Sequence, residues 1–147
     1  MADRLRPLWD FDDLDASEQR FRAQLEHETS SWGRAEVLTQ LARVEGLRGN
    51  FENCGQLLDT AEPLAGPSAA ANVRLELERG RMYRSSGDPK AAFPLFESAF
   101  ARAVEADEHY LAGDAAHMCA ISVDDREVLE DWTQRGIDLG ERDRLAP

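Results

Sequence analysis

Apolar residues recur every three or four positions along most of the chain, the spacing of helices that bury one face. Leu38, Leu41 and Val44 form one such stripe, and Phe51, Cys54, Leu58 and Ala61 form another after the polar break Gly49-Asn50. The stretch "ERGRMYRSSGDPKAAFPLFESAF" repeats the form around Gly-Asp-Pro. Gly87 suits the left-handed conformation that ends a helix. Asp88 can cap the next helix by accepting a backbone N–H, and Pro89 suits its first position, where no donor is needed. A turn this short requires the flanking helices to lie side by side and antiparallel.

A third unit, "AAHMCAISVDDREVLEDWTQRGIDL", is less regular. Its first helix is expected from Ala115 to Val123, with Asp124 or Asp125 as the following cap. Val128, Leu129, Trp132 and Ile137 are the apolar positions of its second helix. Ahead of the units, "LDASEQRFRAQLEHE" predicts a leading helix with Asp15 and Glu18 as a capping box and Phe21 and Leu25 as its stripe. Ser68 is the expected cap after Gly66-Pro67. Pro94 falls inside a helix, where it removes a hydrogen bond and should cause a bend.

Seven helices and no strand follow from this pattern. The expected architecture is one all-α domain over residues 1–147. It has an N-terminal extension (1–15), a leading helix (16–29) and helix pairs at 33–64, 68–106 and 108–142. Gly87 follows Gly49 by 38 residues, and helix pairs repeating at such intervals predict a solenoid whose units bury their faces against neighbours.

Composition narrows the function. The net charge of −12 and pI of about 4.6 oppose binding to nucleic acid or to an anionic membrane. No apolar run reaches the roughly 18 residues of a membrane span, and "MADRLRP" lacks a signal-peptide core. Cys54 and Cys119 have no CxxC spacing and read as reduced thiols. A cytoplasmic protein is expected.

The units resemble the tetratricopeptide repeat family. The second carries Gly80, Tyr83, Gly87-Asp88, Ala92, Phe96 and Ala99 at that family's small, aromatic and turn positions. The first carries Leu41-Ala42, Gly49-Asn50-Phe51, Cys54, Leu58 and Ala61, and the third Ala116, Val128 and Trp132 without a turn glycine. Two departures stand out. Glu76 and Arg79 occupy places where the family buries bulky apolar groups, and the spacing exceeds the family's period of about 34.

The resemblance implies a right-handed superhelix of about three repeats, with the first helix of each unit lining a concave groove that binds peptides. It places Glu36, Thr39, Arg43, Gly46 and Leu47 on that groove, then Arg74, Leu77, Arg81, Arg84 and Ser85, then Tyr110, Gly113, His117 and Ala120. Arg43, Arg81 and His117 then form a central line, with Arg74, Leu77, Arg84 and Tyr110 beside it. Guanidinium groups grip carboxylates in two-point contacts, so the expected ligand is a short acidic peptide or a partner helix. Local carboxylates such as Glu78 and Glu45 are the competing partners of these arginines. The family's chaperone-tail clamp relies on asparagines and lysines that are missing here.

In "LWDFDDLDASE", Trp9 and Phe11 alternate with Asp10, Asp12, Asp13 and Asp15. This segment either docks in a groove, its own or a second copy's, or covers the end of the first helix pair. Solenoid ends need polar cover. Residues 16–29 can supply it in front, and at the rear Val128, Leu129, Trp132 and Ile137 are expected to face inward. Were Trp132 to face out, the rear would be a homodimer surface, so a self-associating scaffold is the alternative function.

No enzyme, cofactor or metal site is expected. Asp114 and His117 have metal-ligand spacing but lack companions, and the acidic run around His109 suits a helix boundary. No nucleophile motif or phosphate-binding glycine loop has supporting context.

Overall fold

The computed structural model describes the backbone of residues 3–145 and the side chains of residues 3–140. Residues 1–2 of the expected N-terminal extension lie outside the described residues. A 3-10 turn, Arg6–Leu8, precedes α1 (Leu14–His27), α2 (Ser31–Leu47), α3 (Phe51–Ala65), α4 (Ala69–Ser85), α5 (Pro89–Glu105), α6 (His109–Ile121) and α7 (Arg126–Leu145). The described residues contain no strand. No helix among them is long and apolar enough to cross a membrane.

Most boundaries follow from local chemistry. Side chains of Asn50, Ser68 and Asp88 accept backbone N–H groups at the starts of α3, α4 and α5. Gly49 (φ 81°) and Gly87 (φ 100°) take the left-handed conformation at the two tight turns. Asp125, rather than Asp124, accepts from the backbone of Val128 at 3.1 Å to start α7. Two starts differ from expectation. Asp13 caps α1 by accepting from the Ala16 N–H, while Asp15 lies within the first turn and pairs with Arg48. The helix expected from Ala115 begins six residues earlier, at His109, and ends at Ile121. Pro94 does lie inside α5, and Pro63 lies inside α3.

Helices α2–α3, α4–α5 and α6–α7 form consecutive packed pairs, and α1 lies against α2. The first helices of the pairs form a row, in which α4 touches α2 closely and α6 more sparingly. Two core clusters result. One joins Phe21, Leu41 and Leu58 and reaches Ala71 and Leu75 of α4; the other joins Phe96, Leu111 and Trp132 and reaches Val73 and Leu77. Helix α4 therefore belongs to both cores. Gly80 lets α5 come close: a Cβ there would lie 2.8 Å from Cδ1 of buried Phe96.

The two departures from the repeat pattern serve as bridges from α4. Glu76 pairs with Arg102 of α5 at 3.0 Å, and Arg79 pairs with Asp59 of α3 at 3.1 Å. At the rear, Trp132 is buried edge-on against Phe93 and Phe100. Leu139, not singled out from the sequence, is buried beside it in the same cluster. Val128, Leu129 and Ile137 do not turn inward as expected; they remain 40%, 39% and 50% exposed. Ile137 stands off the face of α7 that carries Trp132 and Leu139, whereas Val128 and Leu129 lie one turn ahead of Trp132 on nearly that face and still stay exposed.

Candidate functional site

Helix α2 is buried without a break from Ala35 to Ala42, and its polar residues there, Glu36, Thr39 and Gln40, all have partners. Burying polar groups is tolerated only when they are hydrogen-bonded. Their partners come largely from the chain's first residues. Trp9 Nε1–H donates to Gln40 Oε1 at 2.9 Å. Glu36 accepts from Arg4 at 3.2 Å and from Arg74 Nε at 2.9 Å. Asp3 completes the set by pairing with Arg74.

Residues 3–11 thus lie as a segment across α2 and α4. Leu5 is buried in the first core. Trp9 is buried too, with Phe11 stacked on it at 4.6 Å and Phe21 of α1 edge-on at 5.0 Å. Arg43 lies over both rings, 5.3 Å from that of Trp9 and 5.2 Å from that of Phe11. The backbone of Asp10 exchanges hydrogen bonds with Ser17 Oγ, each at 2.8 Å, and ties the segment to α1. The segment therefore packs on its own chain's α2–α4 surface and against α1.

Its acidic residues behave differently from expectation. Asp3, not Asp10, Asp12, Asp13 or Asp15, meets a candidate arginine. Asp10 and Asp13 serve local turns and caps, and Asp15 joins Arg48. Asp3 meets Arg74 because the segment crosses Arg74 before Trp9 and Phe11 reach Arg43.

The candidate residues separate into two neighbourhoods. Arg43, Arg74, Leu77 and Tyr110 line a cleft into which Trp9 and Asp3 project, leaving only about 20 Å³. Leu77 is buried and Tyr110 is 42% exposed at its edge. Arg43, Arg81 and Arg84 line a second, open cleft of about 230 Å³ at the C-terminal ends of α2, α4 and α6. His117 is exposed and lines neither of these two clefts, so Arg43 and Arg81 come together without it.

The arginines differ in how far they are already committed. Arg74 is held by Asp3 and Glu36. Arg81 is held by Glu78 and Asp114; burial would lower its pKa, but those two carboxylates outweigh it and raise the value above the usual one. Arg43 has no ion pair among the described residues. Its burial pushes its pKa below the usual value, with Arg81 adding repulsion and Glu78 opposing. Arg84 is exposed and has no ion pair among the described residues.

Other chemistry is spoken for. Asp114, half of the candidate metal pair, is bound to Arg81. Among the described residues no group of three or more potential metal ligands occurs. Cys54 and Cys119 are free and buried, and burial pushes their thiols up to about 11 and about 12, which leaves them unreactive.

The sequence reading missed Asp3, Gln40, Glu78 as a site residue and Asp114 as the arginine's partner. One signal was present: two successive helical turns of α2 carry Glu36, Thr39 and Gln40 amid apolar neighbours, which asks for an internal polar partner. No protein-family model matches the chain, and no curated protein does either.

Proposed function

We propose that this protein is a non-enzymatic recognition module, similar to tetratricopeptide repeats, that holds a short acidic segment of a partner protein. The bound segment lies on the concave face lined by α2, α4 and α6. One observation carries the reading: the same face already accommodates a turn-rich, aromatic stretch of the chain itself, residues 3–11, with Asp3 on Arg74 and Trp9 on Gln40 and Arg43. That segment occupies Arg74 and Gln40, so a partner's segment would use Arg84, which has no ion pair among the described residues, and the apolar rim beside it. The open cleft next to it supplies the room. The alternative, self-association through the rear of the solenoid, loses its anchor because Trp132 is turned into the core.

A photo-crosslinking residue at Ile121, on the rim of the open cleft, tests the reading in the full chain in its own cells. The expected result is an adduct with a defined short segment of one protein, not formed from Arg126 on the exposed start of α7. Identical adducts from both positions, or none from Ile121, would overturn it.

A further inference from the structure

Resting on that reading, we propose that the open cleft selects a peptide in which a bulky apolar side chain is followed directly by a carboxylate. Its walls are apolar: Leu47 from α2, Met82 from α4, and Met118 and Ile121 from α6. Leu47 and Ile121 stand 52% and 41% exposed at its rim. At about 230 Å³ the cleft falls short of the roughly 300–1,000 Å³ of sites for drug-sized ligands, and suits a single side chain. Unbranched methionines adapt to the shape of whatever enters.

Charge complements this. The lining carries Arg43, Arg81 and Arg84 against one carboxylate, Glu78, in a molecule of net charge −12. Arg81 is occupied by Glu78 and Asp114. Arg84 has no ion pair among the described residues and stands exposed one helical turn from Met82's neighbour Arg81, free to take an incoming carboxylate.

A second, independent observation favours a peptide over a simple fatty acid. Two buried polar atoms of lining residues have no hydrogen-bond partner: Nε of Arg43, a donor, and Oε1 of Glu78, an acceptor. Glu78 is only 3% exposed, and unmet groups of this kind are costly. A peptide unit offers a carbonyl and an N–H together, so after a small side-chain rotation one backbone amide can satisfy both. An ionised fatty-acid carboxylate offers acceptors for Arg43 Nε but no donor for Glu78 Oε1.

The chain has three methionines, Met1, Met82 and Met118, so ¹³C-methyl methionine labelling of the full chain places a probe on two walls of the cleft. The ligands are the blocked tetrapeptides acetyl-Gly-Leu-Asp-Gly-amide, its Leu-Asn and Ala-Asp counterparts, and octanoate. Saturable shifts of the Met82 and Met118 methyls are expected with the Leu-Asp peptide. Affinity should be roughly three- to tenfold weaker for either counterpart, the scale of one rim charge or one small apolar contact. Arg84→Gln should erase the Asp-over-Asn preference with the helical circular dichroism unchanged. Equal binding of Asp and Asn peptides, or tighter binding of octanoate, would overturn the ligand chemistry. Peptide-induced amide shifts elsewhere on the face, with both methyls unmoved, would overturn this cleft and leave the wider recognition reading standing. No binding of any peptide would overturn the inference, and the Ile121 crosslink would then decide the wider reading separately.

Discussion

Arg81 of α4 grips Asp114 of α6 with two hydrogen bonds from one nitrogen, at 2.5 and 2.6 Å, while its other terminal nitrogen donates to Glu78 at 2.6 Å. Since α4 and α6 touch each other sparingly elsewhere, this triad is a principal tie between those two helices, while α5 packs closely on α6. It also means that Arg81 serves the fold before it serves any ligand.

Arg81→Ala should therefore destabilise the protein by about 3 kcal/mol, because it leaves the Glu78 and Asp114 carboxylates facing each other without a counter-charge. Arg126→Ala, which removes an exposed pair with Glu130, should cost no more than about 0.5 kcal/mol. Urea unfolding measures both. Adding Asp114→Asn to Arg81→Ala should recover part of the loss; equal losses from the two single variants would refute a structural triad.

Gly80→Ala tests the close approach of α4 and α5. Alanine is the better helix former by about 1 kcal/mol, yet its methyl would overlap the ring of fully buried Phe96. Overpacking costs of about 1–3 kcal/mol are typical, so the variant should melt lower than the wild type. Phe96→Leu in the same chain should narrow the gap. A higher melting temperature for Gly80→Ala alone would show that the helices can separate freely.

The docked N-terminal segment makes a prediction of its own. Trp9→Ala should lose about 3–5 kcal/mol, the range for large aromatic deletions in cores, and it also strands Gln40 in the interior. Phe11→Ala, at a residue 42% exposed, should lose far less. Denaturant midpoints compare them; matching values would mean that the segment is not seated as described.

Acid should loosen the first core's rim. Hydrogen bonds from Arg48 and Arg22 hold Glu18 below its usual 4.5. Burial pushes Glu28 the other way, but bonds from Arg4 and Gln24 outweigh it and lower that value as well. Groups depressed in the folded state contribute stability above their unfolded pKa and lose it as the pH falls through the folded one. Their contribution should be intact at pH 7 and decline below about pH 4.5. Thermal melts from pH 7 to pH 3 should show a shallower acid decline for Glu18→Gln and Glu28→Gln, each starting from a lower value at pH 7. An unchanged acid limb in both would rule these pairs out as its cause.

Much of the fold was legible in the sequence. Asn50, Ser68 and Asp88 each cap a helix within three residues of themselves, and Gly49 and Gly87 turn the chain where they stand. The candidate site was legible only in part. Arg43 and Arg81 do come together in one cleft. However, the commitment of Arg74 to Asp3, 71 residues away, has no local signature. Nor does the exclusion of Val128 from a core that Trp132 enters.

The sequence by itself determined where α4 and α5 start and where α2 and α4 stop, because capping and left-handed turns are settled among neighbours within a few residues. It determined the pairing of helices too, since a turn of two or three residues permits little else. Tertiary structure decided which arginines are bound by their own chain and which cleft stays open. Those outcomes depend on how helices rotate against each other and on what a distant segment, residues 3–11, finds when it reaches α2. Burial turns charges such as Glu36, Arg74 and Arg81 from solvated groups into obligate partners, and no stretch of sequence read alone says which charges will be buried.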